Sequence, residues 1–499
     1  MSTLKRNVIA NYAGKAWAAI INVAFVPLYI KYMGIEAYGL VGIFATIQPL
    51  MTILDLGLSP SINRELARYS ASPGQEQMMR NSVRTLEVVY WGLAAVLCGV
   101  VLLLSPVVAA KWVNAQALSF GVVKQSVLLM GLSMVFQWPV GFYSGGLMGL
   151  QRQVLFNYIN AALWTLRGVG ALVVVIFSPS PVLAFFWWQF LMSIVNVAAV
   201  AVALWRSLPA TGAASRFQYE LIRSVWRLAI GMSLVSVVIL LFNQLDKIIL
   251  SKQISLTEFG YYSIAWQVVG SLFMLYYPIY CAFFPVLTQL QAKNDVASLT
   301  EVYHKGCQFM SLAVMPISAT LVFFSKEILF LWIRDPVTVA HCHVIMSVLI
   351  VGATFNGLLY MPYSIMQAFG RMKVILYIFI PFLVIYVPLL MFSAKHYGLL
   401  GAATTFSGVS LLQDLIVITL IHRCIIPGEN LNWFTYDLFY PLVSSFLLCG
   451  GLKLLITWPI TGLVGIATIA SCFCATLAIT ALATPITFKY LKRYVVADA

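Results

Sequence analysis

The chain has 499 residues, of which 61% are hydrophobic and 9% charged, and it carries a formal net charge of +14. Soluble domains are about 25% charged, so this balance, with a mean hydropathy of +0.92, excludes a soluble enzyme and indicates a chain immersed in lipid. The basic excess does not point to nucleic acid, because it is dispersed through short turns between apolar runs.

A helix needs about 20 apolar residues to cross the hydrocarbon. Fourteen runs qualify, at roughly 9–31, 37–62, 84–105, 125–149, 154–177, 182–205, 228–251, 259–284, 306–329, 343–368, 372–393, 398–421, 437–457 and 462–488. Backbone polar groups in lipid must be satisfied within their own segment, and the weak alternation of an outer-membrane barrel is missing. The predicted fold class is therefore an all-α polytopic membrane protein with about 14 transmembrane helices. The first run follows Lys5 and Arg6, as a signal peptide would. Its apolar stretch is too long and no small-residue cleavage site follows, so it is read as a retained span.

With the N-terminus placed inside, nineteen of the 30 Lys and Arg residues fall on inside turns and seven on outside turns. That bias predicts both termini in the cytoplasm. The longest polar stretches, roughly 64–83, 206–227 and 288–305, all lie inside, and none has room for a soluble domain. A membrane glycosyltransferase or polymerase, which needs a catalytic acid or base on an external loop, is disfavoured. No Gly-rich phosphate loop is present for ATP-driven transport.

The stretch "RSLPATGAASRFQYELIRSVWR" mixes Pro, Gly and Ser with four arginines and marks an internal boundary. The organisation read from it is an N-terminal six-helix lobe (1–205), a cytoplasmic linker (206–227), a second six-helix lobe (228–425), and two additional helices with a cytoplasmic tail (426–499). A repeat supports the two lobes. "KYMGIEAYGLVGIF" follows the first run and "SKQISLTEFGYYSIA" the seventh; Gly39 lies 113 residues before Arg152, and Gly260 lies 111 before Arg371. Those arginines sit in "MGLQRQ" and "QAFGRMK", each after a fourth span. An even number of spans per half makes the repeats parallel. Chance likeness of short hydrophobic segments is the competing reading.

The eight cysteines are scattered and imply no disulfide framework. His341-Cys342-His343 is read as a coincidence at a span end, because neighbouring helical residues diverge. No cofactor and no metal site are expected.

"LKRNVIANYAGKAWAAIINVAFVPLYIKYMGIEAYGLVGIF" resembles the first hairpin of Wzx-type polysaccharide and O-antigen flippases. "FNQLDKIILSK" with "EFGYYSIAWQ" resembles the start of their second half, and "GLMGLQRQ" and "MQAFGRMK" resemble their paired inside turns. The match is diffuse and runs over most of residues 1–425. The resemblance places the chain in the multidrug/oligosaccharidyl-lipid/polysaccharide exporter superfamily. It implies two six-helix lobes around a central cavity that opens alternately to either side of the bacterial inner membrane. It implies an undecaprenyl-diphosphate-linked oligosaccharide as substrate, with polysaccharide polymerase and chain-length machinery as possible neighbours. Peptidoglycan-precursor flippases of the same superfamily also have fourteen spans. Coupling to H⁺ or Na⁺, as antiport, and a multidrug cation exporter of the same superfamily stay open as alternatives.

Eight ionisable residues fall within the runs: Lys15, Asp55, Glu87, Arg167, Asp246, Lys247, Asp414 and Lys453. Facing lipid, each would cost at least about 2.5 kcal/mol, so they are expected to face the interior, water or one another. Arg167 is the deepest, near the middle of the fifth run, and its planar fork suits phosphate. It is read either as a cation for a diphosphate or acidic sugar, or as half of a structural pair with Asp55 or Glu87. Lys15 is read either as meeting a lipid diphosphate from the inner leaflet or as snorkelling or pairing with an acid. Arg64 and Arg84, at inside ends of spans, form either an electropositive vestibule or ordinary positive-inside charge. Gly57 and Pro60 weaken the helix after Asp55, leaving freed backbone donors within its reach. Asp246 and Lys247 stand side by side, about 100° apart on a helix, and each is expected to face something else. Asp55, Glu87, Asp246, Lys247 and Asp414 are assigned to gating, ion coupling or structural pairing. Lys453 lies in the appended pair and ranks lowest. Trp164, Trp187, Trp188, Tyr276 and Tyr277 are read as packing or lipid contacts rather than sugar platforms.

Overall fold

The computed structural model of the chain describes residues 14, 16–18, 20–55, 57–219, 237–238, 240–456 and 462–484, without the side chains at 372, 373 and 375. In chain order the elements are α1 (Val26–Met33), α2 (Ile35–Ile47), a 3-10 stretch (Gln48–Asp55), α3 (Leu58–Ser70), α4 (Glu76–Lys111), α5 (Phe120–Gln137), α6 (Pro139–Gly149), α7 (Gln153–Phe177) and α8 (Pro181–Ser207). There follow α9 (240–253), α10 (Leu256–Ala292), α11 (Val296–Phe323), α12 (Ser325–Ile333), α13 (Pro336–Leu358), α14 (Tyr360–Ala368), α15 (Met372–Ile425), a π-helical turn (Trp433–Phe439), α16 (Tyr440–Leu455) and α17 (Gly462–Ala483).

Over the described residues, twelve helical segments are long and apolar enough to cross a membrane. One of them, Leu376–Ile425, holds two of the predicted runs. Twelve residues of α-helix rise about 18 Å, yet Thr405 Oγ1 donates to Ser393 Oγ across 2.7 Å. The chain therefore doubles back between them, at Gly398, where φ is 60° and ψ −143°. Element α15 is thus two antiparallel helices in one run. The seventh predicted run lies partly outside the described residues and is not among the twelve.

Helix ends follow local chemistry. Proline occupies the first turn of α6, α8, α13 and α16, where its missing N–H has no intrahelical partner to lose. Asp295 and Asp335 cap α11 and α13 by accepting backbone N–H groups. Both caps lie between spans, and the hydrogen bonds they accept hold both carboxyls below the ordinary carboxylate range.

The two repeated turns share a backbone. Gln151 (φ 56°) and Gly370 (φ 66°) are both left-handed. The next residue closes the same long-range bond in each case, Arg152 N to Leu147 O at 2.8 Å and Arg371 N to Met366 O at 3.1 Å, the pattern of a Schellman C-cap. The other repeat signature meets itself. A Cβ on Gly39 would lie 2.2 Å from the Leu256 carbonyl oxygen, and one on Gly260 would lie 2.5 Å from that of Ile35. Each glycine thus lets its helix approach the start of the repeat-related one closely.

The chain divides into two compact units, Met1–Gly260 and Tyr261–Ala499. In the first, Tyr90, Phe142, Tyr143 and Trp138 form an aromatic core, with ring centroids 4.8 and 4.9 Å apart. The turn after α4 grips α9 and the residues beyond. Trp112 Nε1 donates to Ser251 Oγ at 2.9 Å, Asn114 Nδ2 donates to Lys252 O at 2.8 Å, and Leu256 N donates to Asn114 O at 2.9 Å. In the second unit, α16 and α17 pack on α11 around Ala319, Phe324, Cys449 and Cys472.

Candidate functional site

Arg167 sits on α7 and is 8% exposed. Its Nη2 donates to Gln137 Oε1 of α5 at 3.1 Å and to Ser193 Oγ of α8 at 3.3 Å. Asn196 Nδ2 reaches the same Gln137 oxygen at 3.5 Å. Trp164 lies under the guanidinium, 5.8 Å from its carbon to the ring centroid, and Trp188 Nε1 donates to the Arg167 carbonyl at 3.1 Å. These partners are neutral. Among the described residues no carboxylate lies within ion-pair distance of Arg167. The pairing with Asp55 or Glu87 considered from the sequence is not made, because both acids are occupied elsewhere.

Asp55 ends the 3-10 stretch, just before Gly57 turns left-handed (φ 78°). A 3-10 stretch within an apolar span marks a local departure from regular helix. There Asp55 accepts Ser59 N at 3.2 Å, Ser59 Oγ at 2.6 Å, and the Tyr90 hydroxyl. Glu87 accepts from Arg84 at 2.9 Å, Tyr143 OH at 2.7 Å and Trp205 Nε1 at 3.1 Å. Arg64 pairs with its neighbour Glu65 at 3.2 Å and, like Arg84, leaves half its side chain exposed. The structure does not bring Arg64 or Arg84 to Arg167 by any hydrogen bond or ion pair. Lys15 lies outside the described residues.

Asp246 and Lys247 depart from expectation. Lys247 Nζ donates to Asn243 O at 2.7 Å and lies 3.4 Å from Asp246 Oδ1. Helical divergence separates the Cα–Cβ directions, but the long lysine stem curls back one turn and meets its neighbour. Lys453 pairs with Glu327 of α12, over the ring of Phe324 at 5.0 Å, and so fastens α16. Tyr276 is fully buried and donates to Ala353 O at 3.0 Å, while Tyr277 is exposed. Asp414 is 2% exposed, and neither of its oxygens has a hydrogen-bond partner among the described residues.

Sequence reasoning missed several of these residues. Gln137, Ser193 and Asn196 are neutral and drew no attention, although uncharged polar groups inside spans were the available signal. Glu36 was also missed; it is buried and accepts the backbone N–H groups of Gln116 and Ala117. In the second unit Asp437, in the π-helical turn, is held by His304 Nδ1 at 2.5 Å and Gln308 Nε2 at 2.9 Å. Glu429 lies 3.3 Å from His304 Nε2. Tyr303 meets His422 at 2.9 Å beside this cluster. It anchors the appended helices to α11.

A helical membrane protein of this form has solved counterparts. A lipid II flippase MurJ in an inward closed conformation superposes with a TM-score of 0.70 over 97% of this chain and 99% of its own, at 14% identity. An inward-facing multidrug resistance transporter of the MATE family of the MOP superfamily superposes with a TM-score of 0.66 over 82% of this chain and 94% of its own, also at 14% identity. The fold is that of a multi-pass membrane transporter. By sequence, the pattern of the polysaccharide biosynthesis protein family matches residues 4–291, and the MatE pattern matches 226–392. A "Putative O-antigen transporter" of Shigella flexneri is 22% identical over 430 residues, which cover 86% of this chain and all of that one. The chain belongs to the polysaccharide biosynthesis protein family.

Proposed function

We propose that the protein translocates undecaprenyl-diphosphate-linked oligosaccharide units from the inner to the outer leaflet of the bacterial inner membrane, by alternating access, with both termini cytoplasmic. The observation that carries this reading is the solitary charge of Arg167. A buried guanidinium with neutral partners leaves positive potential in a low-dielectric interior, where a pairing is worth far more than in water. A diphosphate or acidic sugar supplies the missing negative charge, and the planar fork can grip two of its oxygens. Gln137 and Ser193 hold the fork in place between visits. Membership of the family and likeness to an O-antigen transporter support the substrate class. Arg64 and Arg84 add positive potential at the inside ends of their spans, and Lys15 is the further cation on the route. Asp55 and Glu87 then serve as scaffold.

The test is a deletion strain complemented by plasmid. Loss of the protein should trap lipid-linked units on the inner leaflet and lower surface polysaccharide while synthesis of the units continues. Normal surface polysaccharide in the deletion strain, with no substitute transporter, would sink the proposal.

A further inference from the structure

Asp414 belongs to a patch of buried polar side chains without partners. Ser410, Gln413 and Asp414 stand at positions i, i+3 and i+4 of α15, on one helix face. Their exposures are 0%, 0% and 2%. Among the described residues the Ser410 hydroxyl, both ends of the Gln413 amide and both Asp414 oxygens have no hydrogen-bond partner. The Tyr363 hydroxyl of α14, a helix that packs on α15, is also buried and without a hydrogen-bond partner among the described residues. Buried polar groups are otherwise almost always satisfied, so such a group of orphans calls for an explanation.

Among the described residues no countercharge lies within ion-pair distance of Asp414. Tyr276 of α10 is neutral and its hydroxyl is spent on Ala353 O at 3.0 Å. Tyr360 of α14 packs on the Tyr276 ring, with centroids 5.6 Å apart, and is neutral. The single charged residue of α10, Glu258, lies five turns from Tyr276, and α13 carries no charged residue between His343 and Leu358. Two turns further along α15, His422 is engaged by Tyr303 and Asn430. An ionised carboxylate left bare in such a place is strongly disfavoured. One proton removes the charge that burial disfavours. A metal cation would need several oxygens at bonding distance, and among the described residues no set of three acidic or His/Cys ligands gathers here.

The geometry points to Asp414 as a proton-binding site, with Ser410, Gln413 and Tyr363 as its polar surround. Binding forms an O–H bond on the carboxylate from a proton delivered by water, and release returns that proton to water when the face is wetted. Its use as the site that couples a proton gradient to translocation rests on the transport function proposed above; its protonation does not.

The experiment is infrared difference spectroscopy of the purified full-length protein in lipid nanodiscs, without substrate, titrated with pH. The wild type should show the carbonyl stretch of a protonated carboxylic acid near neutral pH, and Asp414→Asn, which mimics the neutral acid, should lack it. If Asp414→Asn fails to accumulate, Gln413→Leu reads the same carboxyl and should shift its frequency. Identical acid bands in wild type and Asp414→Asn, or an unshifted band in Gln413→Leu, would overturn the assignment. So would stabilisation of the wild type by Na⁺ over K⁺ that Asp414→Asn abolishes. Because no substrate is present, a failed flippase assay leaves this result standing, and a failed band leaves the flippase reading standing.

Discussion

Glu87 and Asp414 are the same kind of group in the same kind of place, and the protein treats them in opposite ways. Glu87, in the first unit, is 9% exposed and accepts from an arginine, a tyrosine and a tryptophan. Asp414, in the second, is 2% exposed and accepts from nothing among the described residues. The cations divide likewise: among the described residues Lys453 has a carboxylate, and Arg167 has only neutral oxygens. Burying a charge is costly unless it is paired. Paired charges therefore read as scaffold, and charges left without a countercharge read as groups kept for something that arrives.

The sharpest way to break that contrast is at Arg167. Arg167→Ala should abolish complementation while membrane abundance stays normal, because no buried carboxylate is left orphaned. Arg167→Lys should restore part of the activity, since charge survives without the bidentate fork. Low abundance of the Ala variant, rescued by Asp55→Asn or Glu87→Gln, would show a structural pair and reverse the assignment.

Glu87 and Asp414 should then respond oppositely in stability. Glu87→Leu strands the Tyr143 hydroxyl and the Trp205 N–H, at about 1–3 kcal/mol for each group left unsatisfied, and thermal unfolding of the purified protein should fall accordingly. Asp414→Leu strands nothing the structure pairs with it and should leave the unfolding temperature equal or higher. Equal losses in the two variants would remove the distinction between scaffold and working charge.

Membership of an apolar helix was legible in the sequence; azimuth was not. The apolar runs placed Arg167 and Asp414 within helices long enough to cross a membrane, and Gly398 marks where two runs meet. The matching turns at Gln151–Arg152 and Gly370–Arg371 were visible as a repeat through their arginines and spacing, although the left-handed position holds Gln in one and Gly in the other. Which neighbour each charge meets depends on how helices rotate against one another. The partners of Arg167 lie 30 and 26 residues away, and those of Asp437 lie 129 and 133 away. No local pattern records such pairings, and of the two sequence readings of Arg167 the one that paired it with Asp55 or Glu87 finds no such contact among the described residues.

The reciprocal glycines give a smaller and more local effect. Gly39→Val should force α2 away from the Leu256 carbonyl, and overpacking of this kind costs about 1–3 kcal/mol. Gly260→Val should do the same at Ile35. If the two contacts form one joint, the double variant should cost less than the sum of the singles, since the first substitution already parts the helices. Fully additive losses in thermal unfolding would mean two independent contacts.

The smallest effect lies outside the membrane, at the cap of α13, and it tests whether a paired acid behaves as scaffold where water is at hand. Asp335 accepts the Thr338 hydroxyl at 2.5 Å and the backbone N–H groups of Val337 and Thr338 at 3.3 and 3.0 Å. The Thr338 hydroxyl first, then the two N–H groups, hold its carboxyl below the ordinary value of 3.8. A depressed folded-state value means the ionised cap stabilises the fold above that ordinary value, and the contribution is lost as pH falls through the depressed one. Asp335→Ala should cost about 1 kcal/mol at neutral pH, and the gap from wild type should narrow as the solution is acidified below pH 3.8. Asp335→Asn keeps an acceptor oxygen and should lose little at neutral pH, with a flatter acid limb. A constant gap between wild type and Asp335→Ala across the acid range would show that the carboxylate charge contributes nothing to the cap.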